Sequence, residues 1–94
     1  MFDITITDHG HVTLAGRLDA AQAARAEKEL ARVNGPCRID CADLEYISSG
    51  GLSALLITYK RLSDQGHPLK LVNLRPHVRD VFHYARLDRV FDIE

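Results

Sequence analysis

The order of its hydrophobic patterns constrains this chain more than any other feature. Segments in which apolar and polar residues alternate, as in half-buried strands, are separated by segments with the apolar spacing of amphipathic helices. The predicted order is β-β-α-β-α-β-α-β. Strands that alternate with helices indicate an α/β fold: a mixed, mostly parallel β-sheet with an N-terminal hairpin and helices packed on it.

The predicted strands are short and are bounded by turn residues. Residues 2–7 and 11–14 form the hairpin around a turn at Asp8-His9-Gly10. Residues 37–41, 69–74 and 90–93 are the later strands. Between the third strand and the next helix, residues 42–47 are expected to form a loop in which Leu44 packs inward and Tyr46 is a second candidate.

Three segments have the spacing of helices. Asp19 is placed to cap the first, which is expected to run through Val33 and to end at Asn34-Gly35-Pro36 with the glycine as a left-handed cap. The second runs from about Gly50 to Asp64, and the third starts at Pro76. The predicted inner faces are Ala23, Ala26, Leu30 and Val33; Leu52, Leu55, Leu56, Tyr59 and Leu62; and Val78, Val81, Phe82 and Ala85. We expect the second face to pack against Ile39 and Leu71.

Size and charge limit the classes of function. The 94 residues predict a single domain, residues 1–94, with 46% hydrophobic residues, which is ordinary globular composition. The formal net charge is −1, without the basic excess typical of a nucleic-acid-binding protein. No apolar run is long enough to cross a bilayer, and the N-terminus lacks the pattern of a secretory signal. We therefore expect a cytoplasmic protein with neither nucleic-acid binding nor direct membrane insertion.

The two cysteines are expected to be buried thiols. Cys37 and Cys41 lie four residues apart in a predicted strand, a span of about 13 Å. Disulfide-linked Cα atoms lie within about 7 Å, so the two cannot pair in that conformation. Both should face the core as small apolar side chains.

Three kinds of catalytic or cofactor site can be rejected from the motifs. His9 and His11 have no third ligand near them in the sequence, and the other histidines are scattered, so no metal site is predicted. Ser48 and Ser49 lack the glycine two positions earlier that a nucleophile elbow needs. No lysine follows Gly50 or Gly51 as in a phosphate-binding loop. We therefore expect no enzyme activity and no cofactor.

The turn Ser48-Ser49-Gly50-Gly51 has two interpretations. A serine there can cap the second helix, and glycines permit a tight entry into it. The same place also suits a phosphoacceptor, because free amide groups and the positive end of the helix dipole tolerate a phosphate. Physical chemistry alone leaves both interpretations open.

The sequence around this turn resembles that of STAS domains and bacterial anti-sigma factor antagonists. Residues 40–52, Asp-Cys-Ala-Asp-Leu-Glu-Tyr-Ile-Ser-Ser-Gly-Gly-Leu, are similar to the family signature of an aspartate after a strand and then Asp-Ser-Ser/Thr/Ala-Gly-Leu. Gly16-Arg17-Leu18-Asp19 is similar to the family's Gly-x-Leu-Asp. Two departures are Ser48 in place of aspartate and Gly50 in place of serine, threonine or alanine. The resemblance covers nearly the whole chain and implies the STAS fold.

The resemblance implies partner switching. The unmodified protein would bind a serine protein kinase that is also an anti-sigma factor, of the histidine-kinase-like ATPase type, and would thereby free the sigma factor. Phosphorylation of Ser49 would dissociate the pair, and a phosphatase would reset it. The residues expected to contact the partner are Asp19, Asp40, Ser48, Gly50, Gly51, Ser53 and Ile57.

Two further questions stay open at this level. An alternative function is a non-switching STAS subunit of an ABC-type lipid-transport or chemosensory complex, in which Ser49 is only a cap. A weak homodimer is also compatible with the sequence.

Overall fold

The computed structural model describes residues 1–7 and 9–94; Asp8, in the predicted hairpin turn, lies outside the described residues. Within these described residues, five strands, a short 3-10 helix and three α-helices follow one another. The strands are β1 (Phe2–Ile6), β2 (His11–Leu18), β3 (Cys37–Ile47), β4 (Leu69–Val72) and β5 (Asp92–Ile93). The helices are the 3-10 turn Ala20–Gln22, α1 (Ala23–Leu30), α2 (Ser49–Asp64) and α3 (Pro76–Tyr84).

The sheet has the predicted mixed topology. Its strands lie in the order β1-β2-β3-β4-β5. β1 pairs with β2 antiparallel, and every later pair is parallel. Each parallel pair is joined by a segment that contains a helix, as parallel neighbours require. The predicted α/β class, the hairpin and the order of elements are therefore confirmed.

One face of the sheet carries the core. Alternate strand residues such as Val12, Ile39 and Leu71 are buried in the same apolar cluster as Leu55 of α2 and Phe82 of α3. Residues between them in the strands, such as Thr13 and Arg38, are exposed. The helices thus pack on one face, and the other face of the sheet is polar and open.

β3 is longer than the sequence predicts. The segment 42–47, expected to be a loop, continues the strand and pairs with β2 as far as Leu18 and Ile47. One register shift in this pairing lies between Asp40 and Asp43 and the other between Leu44 and Tyr46, so Cys41, Leu44 and Ile47 all face the core although each is three residues from the next. This spacing breaks the alternation of a regular strand, so the sequence pattern alone resembles a loop.

The helix boundaries need three corrections. Asp19 caps the 3-10 turn rather than a long helix, and α1 ends at Leu30, with Val33 buried in the turn that follows. That turn closes by bonds such as Val33 N–H to the Leu30 carbonyl (3.0 Å), so Gly35 needs no left-handed φ and does not have one. Ala85, predicted to face inward, is exposed because α3 ends at Tyr84.

The predicted buried face of α2 is confirmed, but more residues of the helix are buried than the prediction included. Leu52, Leu55 and Leu62 are buried, and Leu56 and Tyr59 are partly buried against the core. Ala54 and Thr58 are buried as well, because α1 packs beside α2 and covers a second flank.

Among the described residues, no helix is long and apolar enough to span a membrane.

Candidate functional site

Two neighbouring strands end together at one edge of the sheet. Leu18, the last residue of β2, is paired with Ile47, the last residue of β3. The Ser48 N–H donates to the Leu18 carbonyl at 2.9 Å, so the segments that follow β2 and β3 remain in contact beyond the ends of the strands. Asp19 and Ser48, the residues that follow, each cap a helix. The site is therefore built from two helix N-termini that lie side by side.

The two serines have different roles. Ser48 is the N-cap of α2, and its Oγ accepts a hydrogen bond from the Gly51 N–H at 3.1 Å. Ser49 is the first residue of the helix and is exposed. The alternative function makes Ser49 only a cap, but the capping bond is made by Ser48. The Ser49 side chain is left accessible at the positive end of the helix dipole.

Gly51 and Gly50 fit differently into the packing. A Cβ on Gly51 would lie 2.8 Å from Leu18 Cγ and 2.9 Å from Ile47 Cγ1, closer than side-chain carbons approach. Only glycine at this position lets α2 start directly on the ends of β2 and β3. A Cβ on Gly50 would lie 3.4 Å from the Cβ of Ala23, at the edge of ordinary contact. Gly50 is therefore not required by the packing.

One exposed row runs along α2 from the serine. Ser49, Ser53 and Ile57 are spaced four residues apart and lie on one face of the helix, over about 12 Å of its length. All three are exposed, and Ile57 is 49% exposed, as the sequence predicts for a residue off the core face. The row joins the accessible hydroxyl of Ser49 to an apolar side chain that has no role in the core.

An arginine–tyrosine pair lies on the outer sheet face near the same edge. Arg17 and Tyr46 are paired residues of β2 and β3, and the Arg17 guanidinium lies 4.3 Å from the centre of the Tyr46 ring. Tyr46 is 38% exposed, so its assignment as a candidate inward-facing residue is wrong. The hydrophobic pattern of the sequence did not predict this pair. The outward position of Arg17 could have been inferred from Leu18, whose burial places its neighbour on the opposite face.

Asp40 lies away from this group of residues. Asp40 is paired with Thr13 and Ile47 with Leu18, five residues of β2 apart, so Asp40 lies about 17 Å along the sheet from the end of β3. Its Oδ1 accepts hydrogen bonds from the Ala42 N–H at 2.9 Å and from Asn73 Nδ2 at 3.2 Å. The family resemblance implied that Asp40 lies near Ser49. The extension of β3 separates the two.

The buried thiols and the histidines do not form part of the site. Burial raises the pKa of Cys37 to about 11 and that of Cys41 to about 12, so both are protonated at neutral pH. Within residues 1–7 and 9–94, no group of three or more histidine, cysteine or acidic side chains is arranged to hold a metal ion. The chemistry of this edge is therefore that of a hydroxyl, two capped helix ends and exposed contacts.

A comparison with known families identifies the family of this chain. The model described as "Mlab, STAS domain" matches residues 3–93, which is nearly the whole chain. This chain belongs to the STAS domain family. The Bordetella bronchiseptica protein named "Putative anti-sigma factor antagonist BtrV" is 37% identical over 84 residues, which are 85% of this chain and 72% of BtrV. The anti-sigma-B factor antagonist of Bacillus subtilis is 32% identical over 85 residues, 87% of this chain and 78% of that protein.

Solved structures share the STAS fold over the whole chain. An anti-sigma factor antagonist from Mycobacterium paratuberculosis superposes with a TM-score of 0.80 at 25% identity, over 99% of this chain and 83% of that chain. Unphosphorylated SpoIIAA, another anti-sigma factor antagonist, gives a TM-score of 0.72 at 17% identity, over 100% of this chain and 87% of that chain. At that identity SpoIIAA supports the fold alone.

Proposed function

We propose that this STAS protein is an anti-sigma factor antagonist that acts in the cytoplasm by partner switching at Ser49. Unmodified, it binds a serine protein kinase that doubles as the anti-sigma factor and is an ATPase of the histidine-kinase-like type. Phosphorylation of Ser49 by that kinase releases the complex, and a phosphatase restores it. The protein performs no chemistry itself; it is the substrate and the ligand of its partners.

The observation that carries this proposal is the separation of the two serines. Ser48 makes the capping bond to Gly51, so the fold does not depend on the hydroxyl of Ser49. Ser49 is exposed at the first position of α2 and is free to be modified. A site that served only as a cap would not need this second, accessible serine.

The position of Ser49 explains why the folded protein can tolerate a phosphate on this residue although the same phosphate would disrupt a complex. A phosphate there meets unpaired N–H groups of the first helical turn and the positive end of the dipole, so the folded chain accepts it. It adds about −1.5 to −2 charges at neutral pH. A partner packed over Ser49 and the apolar Ile57 would have to bury that charge, which weakens the contact.

The proposed partner surface follows the exposed residues around Ser49. It includes Ser53 and Ile57 along α2 and Asp19 at the neighbouring helix start. Ser48 and Gly50, which are partly exposed, contribute at the helix entry, whereas Gly51, also expected at the contact from the sequence, is buried against Leu18 and Ile47. Asp40 is outside this surface unless the partner also covers the polar face of the sheet, and its role as a contact remains a prediction.

Affinity capture and three variants test the switch. Native protein is captured from its own cells, the associated ATPase is identified, and its affinity for the variants is measured by titration calorimetry. Ser49→Ala should bind at least as tightly as wild type. Ser49→Asp should bind more weakly by at least about tenfold, since charge in a buried contact costs several kcal/mol. Ser63→Asp, an exposed serine near the other end of α2, is the control for added charge and should bind normally.

Two outcomes would contradict the proposal. Mass spectrometry could find Ser49 unmodified after incubation with the captured kinase and ATP. Alternatively, Ser49→Ala and Ser49→Asp could bind every captured partner equally. The second result is what a non-switching STAS subunit of a lipid-transport or chemosensory complex predicts.

A further inference from the structure

An arginine with an unfavourable backbone conformation follows α3. Arg86 has a φ of 60°, the left-handed region that residues with a Cβ avoid. Its N–H donates to the His83 carbonyl at 3.0 Å, and the Leu87 N–H donates to the Phe82 carbonyl at 2.9 Å. These two bonds define the helix-ending turn in which glycine is the usual left-handed residue. Arg86 thus occupies a position where its side chain opposes the turn.

The end of α2 shows the same turn with glycine. Gly66 has a φ of 79°, its N–H donates to the Ser63 carbonyl at 3.0 Å, and the His67 N–H donates to the Leu62 carbonyl at 2.8 Å. Both turns have the same hydrogen bonds, so a glycine in place of Arg86 would form the same turn. The arginine at the end of α3 therefore needs a reason other than the turn itself.

The surroundings of Arg86 are exposed and partly apolar. Tyr84 is 81% exposed and Val90 is 38% exposed. They are two of the five large apolar side chains that are exposed among residues 1–7 and 9–94. An open depression of about 490 Å3 lies between Tyr84 and Arg86 and is lined also by His83, Asp88 and Arg89. This segment combines the residue types that are enriched at protein interfaces.

The charges in the depression are predominantly positive. His83 Nδ1 and Asp88 Oδ2 are 2.9 Å apart, and this hydrogen bond lowers the pKa of the Asp88 carboxyl. Asp88 is thus engaged by His83. Within the part of the chain that the structure describes, neither Arg86 nor Arg89 forms an ion pair with a carboxylate. The positive charge of Arg89 also contributes to lowering the pKa of Asp88, but no ion pair holds either guanidinium group, so both can contact an anionic partner.

The depression and Ser49 lie at opposite edges of the sheet. α3 starts after the carboxyl end of β4 and ends before the amino end of β5, so Arg86 is at the amino edge of the parallel strands. Ser49 follows β3 at the carboxyl edge. A partner bound at Arg86 would therefore leave the region around Ser49 uncovered.

We propose that the turn after α3 is a second docking surface, for an acidic segment of a protein partner. Carboxylates of the segment pair with Arg86 and Arg89, and an apolar side chain packs on Tyr84 and Val90. This surface is separate from the switch and does not rest on the function proposed for Ser49. It would let the protein hold one partner while Ser49 controls another.

Nuclear magnetic resonance tests the surface with a defined probe. A ¹⁵N-labelled sample is titrated with a short peptide of glutamates and leucines, and a lysine–leucine peptide of the same length is the control. The amide shifts should concentrate in residues 83–90 for the acidic peptide only. Arg86→Gly should weaken binding about fivefold, the loss expected for one charged contact, while its melting temperature rises by about 4 °C because the turn is relieved.

Further variants make the result specific. Arg86→Lys should keep most of the binding and none of the gain in stability, since it retains both the charge and the Cβ. Arg32→Gln, at the end of α1, removes an exposed arginine elsewhere and should leave binding unchanged. The proposal is wrong if shifts spread over all arginines, if Arg86→Gly binds like wild type, or if it melts below wild type. Tighter binding of an oligothymidine to the same residues would also overturn it, in favour of a nucleic-acid site.

Discussion

At the start of α2, Ser48 faces the backbone of its own helix and Ser49 faces solvent. One residue fixes the helix entry, and the next is accessible at a place where the dipole favours negative charge. The two glycines after them also differ, since only Gly51 is held against Leu18 and Ile47. The residue types alone do not show these differences, because each pair consists of identical neighbours.

The serines are distinguished by the stability of their alanine variants. Ser48→Ala should lower the free energy of unfolding by about 1 kcal/mol, because the Gly51 N–H loses its acceptor. Ser49→Ala should change it by less than about 0.5 kcal/mol, as for an ordinary surface substitution. Urea denaturation followed by circular dichroism measures both. Equal losses in the two variants would mean that the serines share the cap.

Substitution by alanine should change the stability of the protein in opposite directions at Gly50 and Gly51. Gly50→Ala should stabilise the protein by about 0.5–1 kcal/mol, because alanine favours the helix and its Cβ fits near Ala23. Gly51→Ala should destabilise it by about 1–3 kcal/mol, because its Cβ overlaps Leu18 and Ile47. Thermal melts of the two variants provide the comparison, and a stabilised Gly51→Ala would contradict the close packing at the strand ends.

Among the elements, α2 and β3 show where sequence patterns succeed and where they fail. The leucine spacing of α2 predicts its buried face, because a helix places residues three and four apart on one side. The burial of Ala54 and Thr58 depends on α1, a neighbour that the spacing within α2 does not reveal. In β3, two irregularities bring Cys41, Leu44 and Ile47 to the same face at intervals of three residues, and a pattern of period two does not detect them.

Two side chains of α2 test which face is buried. Leu55 is fully buried and Ile57 is 49% exposed. Leu55→Ala should cost about 2–5 kcal/mol of stability, since it leaves a cavity in the core. Ile57→Ala should cost less than about 0.5 kcal/mol. Chemical denaturation of the two variants decides the matter, and a loss at Ile57 comparable with that at Leu55 would place it in the core.

Over the whole molecule, one apolar core lies between the helices and one face of the sheet. Both cysteine thiols are buried in this core, and the free energy of unfolding therefore depends on pH in the alkaline range. Burial raises the pKa of Cys37 to about 11 and of Cys41 to about 12, from an ordinary value of 9.0. Between pH 9 and these values the unfolded chain loses thiol protons that the folded chain retains.

Stability should therefore fall as the pH rises above about 9. The unfolded state then binds fewer protons than the folded state, so the slope of the unfolding free energy with pH is negative, up to about 1.4 kcal/mol per pH unit for each thiol. A variant with both Cys37→Ala and Cys41→Ala should show a shallower decline than wild type. Urea melts from pH 7 to 10.5 measure the difference, and parallel curves would show that the thiols titrate equally in both states.

The sequence by itself determined the class of fold, the core faces of α2 and the candidate serine. These follow from periodicity and from short motifs, which record interactions between residues near one another in the chain. Only the tertiary structure decided that Ser48 is the cap, that β3 extends to Ile47, that Asp40 lies away from Ser49 and that Arg17 stacks on Tyr46. Each of these depends on the register and packing of distant segments, and local spacing carries no record of which segments become neighbours.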